Sequence, residues 1–200
     1  MSKRLSSGRI ALFGGTFNPI HIGHLLIAEQ AREAFQLDRV IFLPAGIPPH
    51  KSSELAPAAD RLAMARLAVR SHPVFSVSDW EIRQHRTVYT FETLDHFQQA
   101  HKGVRLFFIV GSDSLKDLPT WRQGLLLPER CTFLVAERPD VPLKTIAPAL
   151  RRKVRTLPGL SIGVASRDLR RRIRKGCSIR YQVPDRVERY IRSRRLYAHA

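Results

Sequence analysis

Short apolar runs that stop at glycine or proline, each followed by a stretch of helical periodicity, constrain this chain more than any other feature. Residues 9–13 end at Gly14 and Gly15, residues 40–43 stop at Pro44, and residues 104–110 end at Gly111. Residues 132–135 form a further run, with shorter candidates at 74–77 and 160–162. Between them, residues 22–36 place Ile22, Leu25, Leu26, Ala28 and Ala31 at helical spacings. Residues 59–70 set Leu62, Ala63, Leu67 and Ala68 against Arg61, Arg66 and Arg70, the pattern of an amphipathic helix. Helices are also expected over 90–100, 147–154, 166–175 and 185–194. Apolar runs too short and too continuous for helices, alternating with helices, predict an α/β fold. Its sheet is mostly parallel and flanked by helices on both faces, with a helical C-terminal part. Such sheets bind ligands at the carboxyl ends of their strands, so the glycine turns expected after 13 and 110 mark where to look for chemistry.

At 200 residues the chain can build a core without disulfides or structural metal. Two cysteines exclude a disulfide framework and a Cys-based zinc site, and fit a reducing, cytoplasmic setting. No apolar run has membrane-spanning length, and no apolar stretch follows the basic first residues as in a secretory signal. Residues 1–8 read as a loose arm, and 9–197 as one domain with a basic helical part over 164–197. The formal charge is +17, and residues 151–200 carry 16 basic and 3 acidic residues. Such a surface attracts nucleic acid, acidic membranes or phosphorylated small molecules, or simply stays solvated.

The richest segment runs from Gly14 to His24: Gly-Gly-Thr-Phe-Asn-Pro-Ile-His-Ile-Gly-His. Paired glycines after a strand let a ligand approach the backbone and its N–H groups. His21 and His24 stand at the start of the predicted helix, where imidazoles and free N–H groups suit phosphate oxygens. A His-x-x-His pair also suits half a metal site, with no third ligand evident nearby, or two ordinary surface histidines. The segment matches neither Gly-x-Gly-x-x-Gly nor a P-loop, so a dehydrogenase or P-loop NTPase fails on spacing.

The segment resembles the signature of the nucleotidyltransferase superfamily, Gly-x-Phe-[Asp/Asn]-Pro-x-His-x-Gly-His, through Gly15, Phe17, Asn18, Pro19, His21, Gly23 and His24. Further segments narrow it: Pro-Pro-His-Lys at 48–51, Tyr89–Thr90, Gly-Ser-Asp-Ser at 111–114, Pro-Thr-Trp at 119–121 and Glu-Arg-Pro at 137–139. Tyr-x-Val-Pro at 181–184, with Leu196–Tyr197, completes the set. Together they are similar to the bacterial nicotinate-nucleotide adenylyltransferases from about residue 9 to 197. The resemblance implies a Rossmann-like sheet and transfer of the adenylyl group of ATP to nicotinate mononucleotide, with Mg²⁺ carried by ATP and no metal held by the protein. It implies that Gly14, Gly15, Thr16, Phe17, His21, His24, Gly111, Arg138, Ser166 and Arg170 surround ATP, with His24 and His21 catalytic. It assigns Lys51, Thr90, Asp113 and Trp121 to the mononucleotide, Trp121 by stacking on the ring and Thr90 at the ring carboxylate. Where the family has Ser-Ser-Thr-x-Ile-Arg, residues 165–170 read Ala-Ser-Arg-Asp-Leu-Arg. One hydroxyl is lost at Ala165, and a cation replaces another at Arg167.

The mechanism implied is in-line attack of the mononucleotide phosphate on the α-phosphorus of ATP. The nucleophile is already an anion, so positioning and electrostatic stabilisation carry the rate. The rivals are a sister enzyme with nicotinamide mononucleotide or phosphopantetheine as acceptor, and a non-catalytic nucleotide- or RNA-binding module driven by the basic tail. The paired histidines argue against the module, which leaves nucleic acid an unexpected partner and the oligomeric state open.

Overall fold

A computed structural model describes residues 8–48, 54–158 and 163–198. The expected strand at 160–162 and most of the expected N-terminal arm therefore lie outside the described residues. Strands are β1 (Arg9–Gly15), β2 (Arg39–Pro44), β3 (Phe75–Val77), β4 (Arg105–Gly111), β5 (Thr132–Ala136) and β6 (Arg155–Thr156). Helices are α1 (Ile22–Phe35), α2 (Ala58–Val69), α3 (Trp80–Arg83), α4 (Thr90–Ala100), α5 (Ser112–Asp117), α6 (Leu127–Arg130), α7 (Pro148–Arg151), α8 (Ser166–Arg174) and α9 (Asp185–Ser193). The sheet order is β3-β2-β1-β4-β5-β6. β1 pairs in parallel with β4, β4 with β5 and β5 with β6, with Phe13 opposite Ile109 and Gly111 opposite Ala136. The chain runs outward from β1 to β3 and returns to β4 on the other side. That reversal places the topological switch between β1 and β4, where ligand sites form in such sheets.

By its internal contacts the chain divides into two units, Met1–Gly14, Ile27–Ile41 and Val88–Ile162 in one, and Gly15–Leu26, Phe42–Thr87 and Gly163–Ala200 in the other. The first is organised by β4 and β5, whose central residues are buried, with Phe108 and Phe133 rings 5.3 Å apart. The second packs Phe42 between Phe17 and Phe75, at 5.8 and 5.6 Å. Its α9 joins α2 through the Tyr190 hydroxyl, which donates to Asp60 at 2.8 Å. Among the described residues no helix is long and apolar enough to cross a membrane.

Several expectations need correction. β1 runs two residues past Phe13: Gly14 and Gly15 finish the strand rather than turn, and the left-handed residue is Phe17, at φ 47°. The glycines are required by space instead. A Cβ on Gly14 would lie 3.0 Å from the Phe108 ring, and one on Gly15 would lie 3.1 Å from the Phe17 ring. Gly111 likewise ends β4 and leads directly into α5, where the sequence predicts a turn. The helix expected over 147–154 is confined to α7, because the chain leaves it for β6, an edge strand too short to read as an apolar run. Of the face expected on α2 only Ala68 is buried, and the helix buries Asp60, Arg61, Met64, Ala65 and Val69 beside it. Leucines 62 and 67 are only half-buried, because a charged side chain with backbone partners occupies the stripe that spacing alone would give to apolar residues.

Candidate active site

In the second unit the site is a loop locked from several directions. After β1, Phe17 turns inward and its ring meets the His24 imidazole edge-on, with centroids 5.0 Å apart. Asn18 is almost fully buried. Its Oδ1 accepts the Ala56 N–H at 3.1 Å and the Tyr197 hydroxyl at 2.8 Å, and its Nδ2 donates to the Glu54 carbonyl at 2.9 Å. Asn18 is thus a pin that shapes the loop. Burial pushes the Tyr197 phenol well above its ordinary pKa, which keeps it a donor.

His21 is buried and His24 half-buried, with ring centroids 3.8 Å apart. The His21 backbone N–H donates to Nδ1 of His24 at 3.2 Å. A neutral imidazole that accepts at Nδ1 carries its proton on Nε2, so this bond sets His24 up as a donor through the other ring nitrogen. The start of α1 is less open than expected. The Ile22 N–H is taken by the Gln182 carbonyl at 3.0 Å and the His24 N–H by the His21 carbonyl at 3.0 Å. What this corner offers an anion therefore includes the imidazoles but neither of those two N–H groups.

Two arginines hold the loop from below and beside it. Arg61 is fully buried and donates to three backbone carbonyls: Thr16 at 3.0 Å, Gly46 at 2.9 Å and Ala56 at 3.1 Å. Burial lowers its pKa. Arg170 donates to the Asn18 carbonyl at 2.9 Å and to the Glu54 carboxylate at 2.8 Å, while Ser166 Oγ donates to the Pro19 carbonyl at 2.9 Å. Arg174 pairs with the same carboxylate. The hydrogen bonds from Arg170 and then Arg174 hold Glu54 below the usual carboxylate range. Ser166 and Arg170, which the resemblance puts on ATP, here grip the backbone of the motif itself. Arg167 is exposed at the start of α8, and Lys51 lies outside the described residues.

In the first unit, the ends of β4 and β5 are tied by Ser112. Its buried hydroxyl donates to the Val141 carbonyl at 2.6 Å and accepts the Arg138 N–H at 2.9 Å. Arg138 Nε stands 3.4 Å from the Asp113 carboxylate, and a Cβ on Gly111 would meet both side chains, so these three residues share one corner. Thr90 opens α4, where the Tyr89 N–H is capped by the Glu92 carboxylate at 2.9 Å. Trp121 is half-buried on a tight turn: its N–H donates to the Leu118 carbonyl at 3.0 Å, and its carbonyl accepts the Gly124 N–H at 2.8 Å. Gly124 has no room for a side chain, since a Cβ would fall 1.8 Å from the Leu118 oxygen.

Sequence reasoning missed Arg61, Ser112, Glu54 and Arg174. Arg61 had a signal, because the buried positions 61, 64, 65 and 68 keep a helical i, i+3, i+4, i+7 spacing in which it takes the first place. The others become visible only through partners far along the chain, such as Glu54 and Arg170. Among the described residues no group of three or more His, Cys, Asp or Glu could hold a metal ion.

Residues 12–172 match the family described as Cytidylyltransferase-like. A Synechococcus sp. (strain JA-2-3B'a(2-13)) protein named "Probable nicotinate-nucleotide adenylyltransferase" is 46% identical over 197 residues, covering 94% of this chain and 96% of that one. A protein of the same name from Thermus thermophilus is 44% identical over 189 residues, covering 94% and 99%. Among solved structures, Plasmodium falciparum nicotinic acid mononucleotide adenylyltransferase complexed with NaAD superposes with a TM-score of 0.80 at 20% identity, covering 95% of this chain and 97% of that one. At that identity the likeness is one of fold.

Proposed function

This chain belongs to the nicotinate-nucleotide adenylyltransferases of the cytidylyltransferase-like family, and from that membership we infer how its own residues divide the work. It is a nucleotidyltransferase that transfers the adenylyl group of ATP to nicotinate mononucleotide, a step in NAD biosynthesis. A phosphate oxygen of the mononucleotide bonds to the α-phosphorus, the bond to the β-phosphate oxygen breaks, and pyrophosphate leaves. No proton need be removed from an attacking phosphate dianion, so the enzyme's task is to align two polyanions and offset their repulsion. Mg²⁺ would enter with ATP as part of the substrate and would supply charge neutralisation at the phosphates.

The observation that carries the assignment is the imidazole pair. A His24 ring whose Nδ1 is occupied by a backbone N–H presents a proton on Nε2, and the packed Phe17 and His21 rings hold its orientation. In this reading His24 donates to the phosphate oxygens as charge builds on them. His21, Gly15, Thr16 and Phe17 of the second unit are assigned to ATP, as are Gly14, Gly111 and Arg138 of the first. Arg170 and Ser166 act through the loop they grip. Asp113, Thr90 and Trp121 receive the mononucleotide, with Lys51 on its phosphate. The indole offers a flat face to the pyridine ring. The setting proposed is cytoplasmic.

The test is pyrophosphate release from MgATP with nicotinate mononucleotide, nicotinamide mononucleotide and phosphopantetheine in parallel. Release with the nicotinate substrate, together with the matching dinucleotide, is expected. Release only with phosphopantetheine would overturn the ring-site assignment, and silence with all three from folded, ATP-binding protein would overturn the activity.

A further inference from the structure

The residue after Trp121 is an exposed arginine that pairs with no carboxylate among the described residues. Its guanidinium carbon instead lies 5.1 Å from the centroid of the Tyr89 ring and 5.9 Å from that of Phe91. The two rings are nearly parallel, at 11°, with centroids 6.2 Å apart, and they flank Thr90 in sequence. A long cationic side chain on the surface ordinarily samples many rotamers. Two aromatic faces hold this one beside the residues that flank Thr90 in sequence. The backbone beneath it is equally constrained. Gln123 adopts a left-handed φ of 56°, and Gly124 closes the turn with no space for a Cβ, so Trp121 and Arg122 leave the chain in set directions.

Contact with aromatic rings engages the face of a guanidinium and leaves its in-plane N–H groups to donate. Those groups are donors only. A carboxylate, an acceptor at both oxygens, matches them in charge and in hydrogen bonding. A carboxamide offers one acceptor, and its NH₂ faces the guanidinium donor to donor. The Thr90 hydroxyl makes no such distinction, because it donates to one group and accepts from the other.

We propose that Arg122 reads the charge of the substituent on the pyridine ring and sets the preference of this enzyme for the acid mononucleotide over the amide. The proposal rests on the reading of Thr90 and Trp121 as the ring site. It is tested by kcat/KM for nicotinate and nicotinamide mononucleotides in the wild type, Arg122→Gln and Arg122→Lys. Loss of a charge-assisted hydrogen bond lowers kcat/KM for the acid about tenfold to a hundredfold in Arg122→Gln. The loss appears in KM for the acid, KM for ATP holds, and Arg122→Lys retains part of the preference. The residue is exposed, so both variants should melt with the wild type. An equal fall for both mononucleotides, or an unchanged acid-to-amide ratio, overturns the proposal. An unchanged ratio while Trp121→Ala still raises KM for the acid refutes Arg122 alone. A wild type that adenylylates neither pyridine mononucleotide removes the ring site and the proposal with it.

Discussion

Replacing Arg61 with methionine isolates the arginine's hydrogen bonds, because the two side chains have comparable length and methionine adapts to irregular space. The fully buried guanidinium serves three carbonyls, those of Thr16, Gly46 and Ala56. Each carbonyl left without a partner costs about 1–3 kcal/mol. Against this, a neutral side chain escapes the desolvation of a buried cation, which is several kcal/mol. Three carbonyls at that cost, less the several kcal/mol recovered, leave a net loss of roughly 1–5 kcal/mol. For a chain of this size that lowers Tm by roughly 2–20 °C, within what a domain stable by about 5–15 kcal/mol survives. The assay is urea denaturation followed by circular dichroism, with the slope unchanged and the midpoint reduced. Arg61→Lys should recover less than half of the loss, since one ammonium cannot span three carbonyls as a planar fork does. Under the proposed assignment of Thr16 to ATP, KM for ATP should rise in the same variant. A loss below about 1 kcal/mol, the low end for a single unpaired carbonyl, would mean that water satisfies all three, and would refute the view of Arg61 as the anchor of the loop.

Other predictions concern the chemistry directly. His24→Ala should lower kcat about 10²–10³-fold while the protein stays folded, the range for losing one preorganised donor. Near-normal turnover at saturating ATP would remove His24 from the reaction. Trp121→Ala should raise KM for nicotinate mononucleotide more than KM for ATP, and equal changes would contradict stacking on the indole. The Glu54 clasp on Arg170 and Arg174 should be pH-dependent. Its carboxyl is held below the ordinary range, so its stabilisation is complete above that range and disappears as pH falls through the lowered value. The Tm difference between wild type and Glu54→Gln should therefore be largest near neutrality and close below about pH 4. A difference independent of pH would mean that the charge on Glu54 does nothing for the clasp.

Much of what depends on neighbours along the chain could be read without a structure. Strand and helix alternation follows from residue spacing, and the motif from Gly14 to His24 carries the family in consecutive residues. The parallel sheet, the entry into α1 and the attention drawn to His21 and His24 come from that local grammar, whereas Thr90, Asp113 and Trp121 stand out only through the family resemblance. The fold alone decided which polar groups meet. Arg61 lies on what reads as a solvated face, yet it is buried because three carbonyls from separate loops converge on it. Ser166 and Arg170 read as phosphate ligands, yet they hold Pro19 and Asn18, 147 and 152 residues away in sequence. Gly14 and Gly15 read as a turn, yet they finish a strand because Phe108 and Phe17 fill the space a side chain would need. Propensity and periodicity are properties of a few adjacent residues. A buried charge is tolerated only where its partners arrive, and those partners are brought together by the fold.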